Sequence, residues 1–219
     1  MKTLIFCDFD GTISRRDVGY SLFHHFSGGR NDALLPDWKA GRITSREVLT
    51  LEAAMVSAAP SEIMAFLEQF EIDPGFMPFV ELCRQNRIEP VILSDGLEFY
   101  IRFILERYQL NGLRVISNIG HLHPAGLSIE FPRTNTTCPR CGNCKGEIID
   151  EHRALVVGPC RAIFIGDGYS DTCAARAADL LFAKKDLALY CRDQNIAYTA
   201  FDTFFDVASH LTREGYLQV

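Results

Sequence analysis

The chain has 219 residues, 47% hydrophobic and 23% charged, with a net charge of −6. That length buries a substantial core, as one domain with a generous insertion or as two small ones. The acidic balance argues against a nucleic-acid partner. No run approaches the roughly 18 apolar residues of a membrane helix, so no membrane partner is expected, and the N-terminus lacks an export-signal pattern. The expected compartment is the cytoplasm, where the eight cysteines would be reduced thiols or metal ligands.

In chain order, Thr3 to Cys7 is an apolar run without polar alternation. It predicts a strand buried on both faces, and it ends in Asp8-Phe9-Asp10-Gly11-Thr12. Helical spacing follows at Val18, Leu22, Phe23 and Phe26, stopped by Gly28-Gly29, and a short helical piece spans Asp32 to Lys39. Thr44-Ser45-Arg46-Glu47 has the form of a capping box and opens a helix to about Ser57; Pro60 begins another to about Phe70. Residues 14–72 are thus nearly all helical, a small helical domain set into an α/β chain whose core is residues 1–13 and 73–219.

Alternation resumes after Pro74. A helix over Gly75 to Asn86 precedes a buried strand, Pro90 to Leu93, that ends in Ser94-Asp95-Gly96. Leu97 to Tyr108 reads as a helix, Val115 to Ser117 as a short strand and His121 to Phe131 as a separate hairpin. A Cys-rich loop leads into a helix from Lys145, and Ala162 to Ile165 is a third strong strand ending in Gly166-Asp167-Gly168. Further helices (Ser170 to Ala177, Lys184 to Asp193, Phe201 to Leu211) surround a strand at Leu180 to Phe182. Such alternation predicts a mainly parallel, Rossmann-like sheet with helices on both faces.

One Asp-Gly after a strand is usually only a turn. Three such turns at the carboxyl edge of one sheet, where ligands of open α/β folds gather, place Asp8, Asp10, Asp95 and Asp167 with Ser94 and free backbone N–H groups at a single site. Carboxylates that would otherwise repel one another point to a hard cation with oxygen ligands, and Mg²⁺ fits best.

Asp8-Phe9-Asp10-Gly11-Thr12, then Ser94, then Lys145, then Gly166-Asp167-Gly168-Tyr169-Ser170-Asp171 resembles the four ordered motifs of the haloacid dehalogenase superfamily of phosphatases. The helical insertion resembles the C1-type cap of its phosphoserine-phosphatase-like branch. The resemblance implies a Mg²⁺-dependent phosphomonoesterase with a small phosphorylated metabolite as partner. Asp8 would be the nucleophile that becomes an aspartyl-phosphate, and Asp10 the acid and base. Asp8, the Asp10 carbonyl and Asp167 would hold the metal. Gly11, Ser94, Asp95, Gly96 and Lys145 would bind the phosphoryl group, with Asp171 supporting Asp167 or Lys145 from behind. A receiver domain, which also forms an aspartyl-phosphate, is about half this long and orders its acidic residues differently. A phosphate-ester binder without turnover would not need Asp10 beside Asp8.

Phosphoserine phosphatases have a Glu nine residues after the nucleophile and a cap Arg for the substrate carboxylate; here those places fall at Asp17 and near Glu52. Asp17, the turn at Trp38-Lys39-Ala40-Gly41 and the Cys-rich loop resemble instead the 2-hydroxy-3-keto-5-methylthiopentenyl-1-phosphate phosphatases of methionine salvage, with phosphoethanolamine and phosphocholine phosphatases as relatives. Asp17 is the candidate substrate residue. Cys138, Cys141 and Cys144 have zinc-knuckle spacing, for which His121, His123 or Cys160 would supply a fourth ligand; reduced thiols lining the site are the preferred reading over structural zinc. Cys7, Cys83, Cys173 and Cys191 read as small core residues.

Overall fold

The computed structural model describes residues 1–218. Seven strands form one sheet in the order β4-β3-β2-β1-β5-β6-β7, parallel throughout except for β4. β1 (Lys2–Cys7) lies at its centre, between β2 (Val91–Leu97) and β5 (Cys160–Gly166), followed outward by β6 (Leu180–Ala183) and β7 (Thr199–Ala200). The unbroken apolar run of β1 is explained by packing on both sides. Ile5 and Cys7 join the cluster formed with helices Phe76–Gln85, Glu98–Arg107 and Phe204–Arg213, while Phe6 joins the cluster against Lys145–Ala154, Thr172–Ala177 and Lys185–Asp193.

Between β1 and β2 the chain is helical: α1 (Val18–Ser27), α2 (Leu35–Lys39), α3 (Ser45–Met55), α4 (Pro60–Leu67) and α5 (Phe76–Gln85). The Thr44/Glu47 capping box opens α3 as expected. The helix expected over 32–39 is two pieces, a 3₁₀ turn at Arg30–Leu34 and α2, because Pro36 removes a donor that a continuous helix would use. Phe66 packs edge-on against both Phe26 and Phe70, and Val18, Leu22, Ile63 and Leu67 are buried in the same cluster.

After α6 (Glu98–Arg107), the expected hairpin forms, but the short strand before it is not separate: it and the hairpin's first arm are one strand, β3 (Arg114–His123). Its first half pairs with β2 and its second half with β4 (Gly126–Glu130). Gly120 does not break it: a Cβ there would stand 2.7 Å from the Phe99 ring, so this glycine serves close packing. The remaining helices are α7 (Lys145–Ala154), α8 (Thr172–Ala177), α9 (Lys185–Asp193) and α10 (Phe204–Arg213). Two-residue β7 is too short to carry a readable pattern. Among the described residues, no single helix is long and apolar enough to cross a membrane.

Candidate active site

Four adjacent strands end at one edge, and each delivers part of the site. β1 runs directly into Asp8, whose N–H donates to the Ile165 carbonyl of β5 at 2.9 Å. The chain then turns through Gly11 at φ +76°. A Cβ at Gly11 would collide with the Asp167 carboxylate, so the turn and the end of β5 need a glycine on both conformational and steric grounds. Asp8, Ser94, Lys145, Asp167 and Asp171 are all buried.

Lys145, wholly buried at the start of α7, places its ammonium 2.5 Å from Asp8 Oδ1 and also bonds Asp171 Oδ1. Burial works against its charge, but Asp171 and Asp8 outweigh it and raise the lysine above its ordinary value. Asp171 Oδ2 accepts the N–H groups of Asp167 and Gly168, each at 3.0 Å, so this residue braces both Lys145 and the Asp167 turn. Thr12 donates its hydroxyl to Asp167 Oδ1 at 3.2 Å.

Asp10 faces away from that pair. Its Oδ1 accepts the N–H groups of Val18 and Gly19, at 3.0 and 3.1 Å, at the start of α1. Its Oδ2 accepts the Tyr100 hydroxyl at 2.7 Å and the Ser94 hydroxyl at 3.3 Å. Burial pushes Asp10 up, and the Tyr100, Gly19 and Val18 donors offset that rise only in part. The Gly11 and Gly96 N–H groups, expected to face a phosphate, donate to Ser14 Oγ (3.1 Å) and Ser94 Oγ (2.9 Å). The Asp95 side chain turns into the Cys-rich loop, where Oδ1 accepts Asn143 N–H at 2.7 Å and Asn118 Nδ2 at 3.2 Å.

Lys185 was not anticipated. It bonds Asp167 Oδ2 at 2.8 Å and the Gly11 carbonyl at 3.1 Å. Its signal lay in its place: it opens α9 just after β6, the fourth parallel strand to end at this edge. Tyr100, one turn into the helix after Gly96, is the other missed contact.

The carboxylates of Asp8, Asp167 and Asp171 lie within 4.8 Å of one another. Counting Asp10, four carboxylates face two ammonium groups, Lys145 and Lys185. Burial, then Asp171, pushes Asp8 well up; burial and Asp171 likewise raise Asp167. Hard oxygen donors with an uncompensated excess of negative charge fit a divalent cation such as Mg²⁺.

The site opens into a cavity of about 390 Å³ whose far walls come from α1, α2 and α3, and Asp8, Asp10, Ser94 and Asp167 line its floor. Asp17 caps α1 by accepting Tyr20 N–H at 2.8 Å and also lines the cavity. Burial and then Asp10 push Asp17 up to about 7. Glu52 lines the roof, bonded to Asn31 Nδ2 at 3.1 Å, and burial pushes it up to about 7.

The cysteines divide differently from expectation. Cys7, Cys83 and Cys191 are core residues, but Cys173 is not: it joins Cys138, Cys141 and Cys144 in one sulfur cluster. His121, His123 and Cys160 stand outside that cluster. The two histidines bond Glu130 and Ser128 along the β3–β4 ladder. Cys173 was misassigned because it stands alone in sequence at the start of α8; only the packing of α8 on α7 brings it to the loop.

A family model described as haloacid dehalogenase-like hydrolase matches residues 5–176. A 2-hydroxy-3-keto-5-methylthiopentenyl-1-phosphate phosphatase of Bacillus cereus (strain AH187) is 32% identical over 96% of this chain and 96% of its own. Pdp3-interacting factor 1 of Schizosaccharomyces pombe is 30% identical over 95% of this chain and 94% of its own. A phosphoserine phosphatase solved with an analogue of its phospho-aspartyl intermediate has the same fold: TM-score 0.72 at 14% identity, covering 95% of this chain and 98% of that one. With the ordered strand-end motifs converging as the sequence implied, the chain belongs to the haloacid dehalogenase-like hydrolase family.

Proposed function

We propose that this chain hydrolyses the phosphomonoester of a small metabolite in two displacements. The Asp8 carboxylate attacks phosphorus, and the P–O bond to the leaving alkoxide breaks as Asp10 gives that oxygen its proton. Asp10 then takes a proton from water, whose oxygen attacks the aspartyl-phosphate and releases inorganic phosphate and the Asp8 carboxylate. Asp8, the Asp10 carbonyl and Asp167 would hold Mg²⁺, which when bound offsets phosphate charge and polarises a phosphoryl oxygen. Lys145 stabilises charge on the transferred group, and Ser94 with the backbone N–H of Asp95 binds its oxygens. The observation that carries the reading is the floor of the cavity, where Asp8 and Asp10 stand side by side with a buried lysine behind only the first.

The helical segment, residues 14–72, acts as the cap in this reading and, with Asp17, selects the substrate. Phe23, Leu35, Trp38, Val48 and Leu49 suit an apolar tail, while Asp17 and Glu52, both pushed up to about 7, suit hydroxyl or carbonyl oxygens. That chemistry favours 2-hydroxy-3-keto-5-methylthiopentenyl-1-phosphate, the substrate in the bacterial relative's name. Both lysines of the cavity, Lys39 and Lys185, are paired with Asp186 and Asp167, which disfavours the carboxylate of phosphoserine. The same acid pair supports a second reading, an ammonium substrate such as phosphoethanolamine or phosphocholine. The reading places the protein in the cytoplasm, in keeping with eight cysteines outside any disulfide.

A panel of phosphorylated metabolites with Mg²⁺ tests it. Release of phosphate is expected to be fastest from the thioether substrate. Preference for phosphoethanolamine selects the second reading. Tight binding of one ester with no release from any overturns the hydrolase.

A further inference from the structure

Four cysteine sulfurs gather outside the carboxylate site. Cys138, Cys141 and Cys144 come from the loop before α7, and Cys173 comes from α8. The Cys173 sulfur lies 3.9 Å from that of Cys138 and 3.8 Å from that of Cys141. All four lie within 4.8 Å of one another. A tetrahedron of Zn–S bonds of about 2.3 Å has edges of about 3.8 Å, so the spacing suits one ion. It is too wide for disulfides, whose sulfurs are about 2.05 Å apart, and too tight for a cluster of several irons.

The loop is shaped without help from the sulfurs. Glu147 accepts the N–H groups of Thr136, Thr137 and Cys138, each at 2.7 Å. Asn135 donates to the Cys141 carbonyl at 2.7 Å and accepts the Cys144 N–H at 3.1 Å. A Cβ at Gly146 would stand 2.8 Å from the Cys173 carbonyl oxygen, so this glycine admits α8 close enough to present its sulfur. We infer that Cys138, Cys141, Cys144 and Cys173 bind one Zn²⁺ as a closed tetrathiolate, which clasps the loop to α8. Cys144 precedes Lys145 directly and Cys173 follows Asp171 by two residues, so the ion ties together the segments that carry the buried Lys145–Asp171 pair. Its role is positioning, since four sulfurs leave no open place for substrate.

Metal analysis of the full chain, purified under reducing conditions without chelator, tests this with no reference to catalysis. One zinc per chain is expected, and X-ray absorption should find four sulfur neighbours at about 2.3 Å. Cys160→Ser should keep the full zinc content, whereas Cys173→Ser and Cys138→Ser should lose at least about nine-tenths of it. If a variant fails to fold, the stoichiometry and ligand set of the unaltered chain still decide. Zinc-free protein, two disulfides among these cysteines, iron in place of zinc, or full zinc in Cys173→Ser would each overturn the site. Because the readout is metal content, an inactive chain that holds zinc and an active chain that lacks it separate this proposal from the phosphatase reading.

Discussion

The oxygen cluster and the sulfur cluster meet at the starts of α7 and α8, yet they are held by different means. The carboxylates of Asp8 and Asp167 sit at strand ends, fixed by the sheet, and Asp171 sits in the short turn after β5, with Lys145 and Lys185 covering part of their charge. The sulfurs of Cys138, Cys141 and Cys144 sit on a loop, fixed by the Glu147 and Asn135 bonds and by the packing of α8. The sheet holds the carboxylates in place, and their excess charge is what fits a cation. The loop is framed instead by the Glu147 and Asn135 bonds. The carboxylates thus owe their places mainly to the sheet, and the sulfurs to loop bonds and helix packing.

The sharpest way to break this comparison is Asp8→Asn, which should cut turnover by more than about 10⁴-fold in steady-state assays. Lys145 keeps Asp171 as partner, so the fold and the zinc content should be unaltered. Asp10→Asn comes next, with a loss of about 10²–10⁴-fold on alkyl phosphates and a much smaller one on aryl phosphates, whose leaving groups need no proton. Equal losses on both substrate classes would remove Asp10 as the acid. Lys145→Met joins the two regions. It strands two buried carboxylates, and chemical denaturation should show a loss of about 3–5 kcal/mol without Mg²⁺, part of which a divalent cation restores.

The smallest effect lies in the roof. Burial raises Glu52 from 4.5 to about 7, so the native state holds a proton that the unfolded chain releases. The stability this provides is complete below pH 4.5 and is lost as pH rises through about 7, on the order of 3 kcal/mol. Glu52→Gln should remove that slope from a series of denaturation curves, leaving the parallel contribution of Asp17. An unchanged slope would mean that Glu52 is ionised in the folded protein.

What could be read beforehand follows the same division. Asp8, Ser94 and Asp167 were legible because apolar runs end at them, and a parallel sheet brings all such ends to one edge. Asp171 and Lys145 were legible only through order along the chain, by resemblance. Tyr100, Glu52, Asn31 and Cys173 carried no local signal, since each acts through a neighbour brought by helix packing. The continuity of β3 through Gly120 was not legible, because only the Phe99 ring packed against that glycine shows that it serves close contact. Lys185 was recoverable from topology, as the cation after the fourth strand end.

The bond from Asp10 Oδ1 to the first N–H groups of α1 has one more consequence. α1 also supplies Tyr20 and Phe23 to the cavity wall, so the helix that walls the cavity is also the helix whose N–H groups offset part of the burial that raises Asp10. Any tilt of α1 away from the strand end strips two donors from Asp10 and raises its affinity for a proton. The wall of the cavity and the proton affinity of Asp10 are thereby set by one helix.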